Sequence, residues 1–224
     1  MKVKYLVALT LFISMTAAAQ PQLGRLSGVL GSDKSDSNAE SAMSAEGSQA
    51  ALVATFVETL SLVMTAQQRL QNALGNSEEA QILQLSIDEL SSECAKECLT
   101  RIVEISDTAV GSINDKIAAQ VSLEADKKEM YVSALPPYIQ GTLKAKDLVT
   151  EAASWSTQSL TDLKDAGLMG ARDLSAKLEV GTFVAGSLPT LLKNWIQSTT
   201  LVLNYAKSND IELDSVEGVN DFEF

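Results

Sequence analysis

Apolar residues recur every three or four positions along most of the chain, the spacing that gives a helix one apolar face. Val53, Phe56, Leu60, Val63, Leu70 and Leu74 form the first stripe, with Gln67 in its one polar slot. Gly75 follows the last apolar position, where glycine readily takes the left-handed conformation that ends many helices. Ser77 then opens SEEAQ, an N-cap followed by carboxylates suited to the positive end of a helix dipole. A second stripe runs from Leu83 through Cys94, Cys98, Ile102 and Ile113 to Val121. It predicts one long helix, or two nearly collinear ones with a break at Ser91-Ser92. The pattern extends to about Ala134, where Pro136 and Pro137 are expected to end it, because proline lacks the N–H and its ring strikes the preceding turn.

Pro137 is expected to open a third helix, since proline is tolerated in a first turn. Leu148, Ala152 and Trp155 share its face. Gly167 and Gly170 predict its end, a short helical segment follows over residues 171–180, and Ser187 is expected to cap a last helix carrying Leu188, Leu191, Trp195 and Val202. No long period-two run separates these stretches, so strand signals are weak. Long amphipathic helices with short connections place sequential neighbours antiparallel. The predicted fold is therefore all-α, an antiparallel up-and-down bundle of four or five long helices over residues 48–207. A disordered linker is expected over residues 20–47, where Gly, Ser, Asp and Asn dominate. Residues 208–224 are expected to form a solvated acidic tail, with six carboxylates and no basic residue after position 208.

Residues 1–19 change the picture of where the chain works. Lys2 and Lys4 precede an apolar run from Tyr5 to Met15, and Ala17, Ala18 and Ala19 supply a cleavage site. The run is shorter than the roughly 20 residues that span a bilayer. Cleavage is expected after Ala19, because Pro21 disfavours a cut after Gln20. The mature protein is thus expected to be exported and soluble, periplasmic or secreted, with no transmembrane segment.

Composition narrows the chemistry. The 224 residues hold 17 Lys+Arg, 29 Asp+Glu and no His, a net charge of −12. That charge argues against nucleic acid as a partner. The lack of His removes Ser–His and Cys–His nucleophile pairs and imidazole metal ligands. No P-loop, G-x-S-x-G, G-x-G-x-x-G or H-E-x-x-H occurs. No catalytic residue, cofactor or metal is expected.

Two features remain as candidate sites. Cys94 and Cys98 are the only cysteines. At i, i+4 of an undistorted helix their Cβ atoms stand about 5–6 Å apart, too far for a good disulfide. Export favours oxidation, so an internal bridge helped by a helix start at Ser91 or Ser92, two reduced buried thiols, and cross-chain bridges all stay open. The second feature is the uncharged run over residues 180–192. Gly181 and Gly186 are candidate hinges, and Phe183, Leu188 and Trp195 candidate walls of an apolar-ligand cavity; the ordinary alternative is a buried helix connection. The leading functional expectation is a non-enzymatic helical protein acting through a protein partner or self-association. The alternative is a periplasmic carrier or sensor of a lipid or other apolar ligand held between helices.

Overall fold

The structure, a computed structural model, describes residues 44–214, 216–220 and 222. The expected signal peptide and residues 20–43 of the expected linker lie outside these residues. Six helices, packed against one another, contain most of the described chain: α1 (Ala45–Ala73), α2 (Ser77–Glu89), α3 (Lys96–Ala118), α4 (Ala125–Asp165), α5 (Gly167–Lys177) and α6 (Glu179–Ser208). No strand occurs among the described residues.

α1 is the central helix. Its stripe of Phe56, Leu60, Val63, Met64 and Leu70 is fully buried, and α2, α3, α4 and α6 all pack on it. By length and composition α1 could cross a membrane, but here those apolar positions face neighbouring helices. α4 runs antiparallel to it, as three links show: Asp162 Oδ2 accepts from Ala45 N at 2.7 Å, Lys144 pairs with Glu58, and Arg69 reaches Ser133. α4 and α6 are also antiparallel, with Tyr131 Oη donating to the Val202 carbonyl at 2.9 Å and Thr142 Oγ1 lying 3.1 Å from Thr199 Oγ1. α3 lies parallel to α1, joined by Gln67 Nε2 to the Ser106 carbonyl and Gln71 Nε2 to the Ala109 carbonyl.

The end of α1 follows its sequence. Gly75 has φ +83°, and Asn76 N and Gly75 N donate back to the carbonyls of Gln71 and Asn72 at 2.8 and 3.3 Å, the paired bonds of a Schellman stop. The start comes earlier than expected. Ser44 Oγ accepts from Gly47 N, Ala45 is fully buried, and its carbonyl accepts from Trp155 Nε1 at 2.9 Å. Residues 45–47, assigned to the linker, are the first turn of a core helix because a cap and two tertiary hydrogen bonds hold them there.

Other boundaries also move. Asn76 rather than Ser77 precedes α2 as its N-cap residue. The second stripe breaks twice, once between α2 and α3 around Ser91-Ser92 and again over residues 119–124, where Gln120 has φ +51°. The prolines do not end a helix: α4 passes through Pro136 and Pro137. Pro137 leaves the Ser133 carbonyl without its N–H donor, and Arg69 Nη1 supplies one at 2.6 Å. α6 likewise begins at Glu179, not at a Ser187 cap, and passes through Pro189. Ser187 Oγ instead bonds the Phe183 carbonyl inside the helix at 2.8 Å. These shifts give six helices instead of four or five.

The acidic tail departs most from expectation. Ile211, Leu213, Val216 and Phe222 are buried in the core cluster, while Asp210, Glu212, Asp214 and Glu217 are exposed. The carboxylates interleave with apolar residues, so the segment can turn one edge inward without burying charge. Lys128 Nζ donates to the Asn209 carbonyl at 2.7 Å, and Gly218 lies so close to Ile139 that a Cβ there would come within 2.9 Å of its Cγ2.

Candidate functional site

Cys94 and Cys98 are at disulfide distance, with Cα atoms 5.4 Å apart. Cys94 precedes α3 and Cys98 lies in its first turn, so the pair escapes the i, i+4 geometry of a continuous helix. A Cα separation of 5.4 Å falls within the range disulfides adopt. Cys94 is buried and Cys98 half-buried.

The residues expected to frame an apolar cavity all fall in α6 and do different jobs. Leu188 and Trp195 are fully buried, Phe183 is half-buried, and Gly186 is exposed with open space around it. Gly181 is a contact point: a Cβ there would meet the Trp155 ring at 2.5 Å and Gln49 Oε1 at 2.8 Å. Its N–H donates to that same Gln49 oxygen at 3.0 Å, and Gln49 Nε2 reaches the Lys177 carbonyl at 3.0 Å. The segment is the place where α1, α4 and α6 converge.

Polar side chains also meet between α1, α3 and α6. Ser106 Oγ bonds Gln67 Oε1 at 3.0 Å, and Ser198 Oγ bonds Asn114 Oδ1 at 3.0 Å. The Tyr138 hydroxyl and Trp195 Nε1 are buried without a hydrogen-bond partner. Burial pushes the Tyr138 hydroxyl up to about 12, with the nearby Ser198 and Gln67 side chains opposing the rise. Burial also raises Tyr131 and Tyr205, whose rings are 5.4 Å apart.

A cleft of about 400 Å³ opens between α2 and α3. α2 places Ala80, Leu83 and Ser86 on its buried side and leaves Ile82 and Leu85 on the other, 46% and 62% exposed. α3 contributes Ile105 and Ala109 to the floor, and Glu79, Glu104 and Arg101 lie at the rim. The cleft is held at both ends. Asn76 Nδ2 donates to Ser112 Oγ at 3.1 Å near the α1–α2 turn, and Arg101 pairs with Glu89 toward the other end of α2. None of the residues expected to frame a cavity lines it. The signal for it lies in ILQL, residues 82–85, where apolar residues occupy two sides of one helix instead of a single stripe. A broader cleft of about 550 Å³ between α1 and α4 is lined largely by Ser48, Thr150, Glu151, Ser154 and Gln158.

A second exposed apolar group sits at the α4–α5 corner, where Leu160, Leu168 and Met169 are 68%, 97% and 88% exposed. α5 has no buried residue. No group of three or more carboxylate or cysteine side chains could hold a metal among the described residues. Comparison with family models, curated proteins and solved structures finds no match.

Proposed function

We propose that this chain is an exported, non-enzymatic helical protein that acts through protein–protein contacts in the cell envelope or outside the cell. The observation that carries the reading is the exposure of apolar side chains close together in the chain, Ile82 with Leu85 on α2 and Leu168 with Met169 at the start of α5. Singly scattered exposed hydrophobes need no explanation, whereas grouped ones mark surfaces that other molecules cover. The up-and-down bundle suits this role, since a rigid helical body presents such corners in fixed positions. Export rests on the basic, apolar and small-residue order of residues 1–19.

Light scattering after gel filtration, with chemical crosslinking in the producing cells, tests the reading. A defined oligomer or a crosslinked protein partner supports it; a strict monomer without any crosslinked protein contradicts it. The mature chain is expected to begin at Gln20, and an intact Met1 in exported protein would contradict export by cleavage. A second reading, carriage of an apolar ligand, is favoured by the volume of the α2–α3 cleft, which lies in the size range of small-molecule sites. Native mass spectrometry of protein from its own cells separates the two, since a carrier retains a lipid-sized mass.

A further inference from the structure

We propose that the α2–α3 cleft is a docking groove for a basic amphipathic helix of a partner protein. The proposal rests on the protein-contact reading above and names the partner's chemistry. Its first support is shape. On α3 the lining runs from Arg101 to Ser112, a length of about 17 Å, so the groove matches about three turns of an added helix. Ile82 and Leu83 line the opening from α2, and Ile105 and Ala109 line it from α3. A helix laid along them would place its own apolar stripe against that floor, the usual helix-in-groove arrangement. The Asn76–Ser112 and Arg101–Glu89 links fix the spacing of the two walls, so the groove exists before a partner arrives.

The second support is charge. Residues 77–112 carry eight carboxylates against two basic residues, an imbalance of six in a chain whose net charge is −12. Both cations are already engaged, Lys96 with Glu179 at 2.7 Å and Arg101 with Glu89. Glu79 and Glu104, both exposed, line the cleft beside the apolar floor. An apolar floor inside an acidic rim selects a helix with an apolar stripe flanked by Lys or Arg, and repels an acidic one. A free fatty acid would satisfy the floor but meet the rim with the same sign of charge.

Fluorescence anisotropy with synthetic peptides on the full mature chain tests this. The probe is a labelled helical peptide of about fourteen residues, long enough to span α2, with Leu on one face and Lys on its flanks. One control carries Glu for every Lys; a second has the Leu positions scrambled off one face. The Lys peptide is expected to bind at least about tenfold more tightly than either control. Ile82→Ser, and separately Glu79→Lys with Glu104→Lys, should each weaken it by about tenfold, while Leu201→Ser on the exposed face of α6 should not. All these positions are exposed, and unchanged helix signal and melting temperature keep the variants interpretable. Equal binding of the Lys and Glu peptides, or unchanged binding by both groove variants, would overturn the proposal. So would binding of decanoate in the groove with no binding of the Lys peptide. Crosslinking in cells decides the broader reading separately: a protein partner found there beside failed peptide binding leaves that reading standing and removes the groove.

Discussion

Gly181 and Gly186 lie five residues apart in one helix and do opposite work. At Gly181 a Cβ would press into the Trp155 ring, and moving Trp155 disturbs the hydrogen bond from its Nε1 to the Ala45 carbonyl at the start of α1. Gly181→Ala is therefore expected to destabilise by about 1–3 kcal/mol, the usual cost of overpacking. Gly186 is exposed in a helix interior with open space beside it, so Gly186→Ala should stabilise by about 0.5–1 kcal/mol. Denaturant melts of the two variants check both signs. Tyr138 gives a second contrast, because its buried hydroxyl has no partner. Tyr138→Phe removes an unsatisfied group and should gain about 1 kcal/mol at neutral pH. The raised folded-state pKa of Tyr138 also fixes a pH direction. An unfolded tyrosine ionises near 10 and the folded one near 12, so its ionisation leaves stability unchanged below pH 10 and lowers it as pH rises from 10 toward 12. Alkaline unfolding followed by tyrosine absorbance should be shallower in Tyr138→Phe, with Tyr131 and Tyr205 supplying the remaining dependence.

At the scale of elements, the outcome at Pro136 and Pro137 turns on a residue 64 positions from Ser133. Arg69 donates to the carbonyl that Pro137 leaves open, so the proline defect is compensated across the α1–α4 contact. Arg69→Ala is expected to cost about 1 kcal/mol in the natural chain and less in a Pro137→Ala background, where the helix supplies its own N–H. Equal costs in the two backgrounds would show that Arg69 does something else. The periodic stripe of α1 and its stop at Gly75 were legible because both depend on local spacing and one backbone preference. The passage of α4 and α6 through proline was not, because it depends on neighbouring helices. The C-terminal segment failed for a different reason: its six carboxylates drew attention away from Ile211, Leu213 and Val216 between them. Deleting residues 209–224 removes four buried side chains from the core cluster, each contributing about 1.5–3 kcal/mol when fully buried. The truncated chain should lose more than about 2 kcal/mol, measured by urea unfolding; a loss under about 0.5 kcal/mol would mean the segment does not pack.

Over the whole molecule, the described residues form one helical core in which the polar side chains of Gln67, Ser106, Asn114 and Ser198 are satisfied from within. Of Gly181, Phe183, Gly186, Leu188 and Trp195, expected to frame a cavity, Gly181 lies where three helices meet, Leu188 and Trp195 are buried, and none lines the α2–α3 cleft. Sequence periodicity marks which residues are apolar on one face, but it does not tell a packed convergence from a lined pocket, since both need the same residues. Exposed large apolar side chains remain at Ile82 and Leu85 of α2, near the α4–α5 corner, and, less exposed than most of these, at Ile196 and Leu201 of α6. On the proposed reading, the α2 pair and the α4–α5 corner meet other proteins. A photoreactive amino acid placed at Leu85, at Leu168 and, as a control, at exposed Gln197, followed by illumination of the producing cells, tests it most directly. Discrete protein adducts are expected from Leu85 or Leu168 and none from Gln197. Absence of protein adducts from both apolar sites, or equal adducts from Gln197, would contradict that reading.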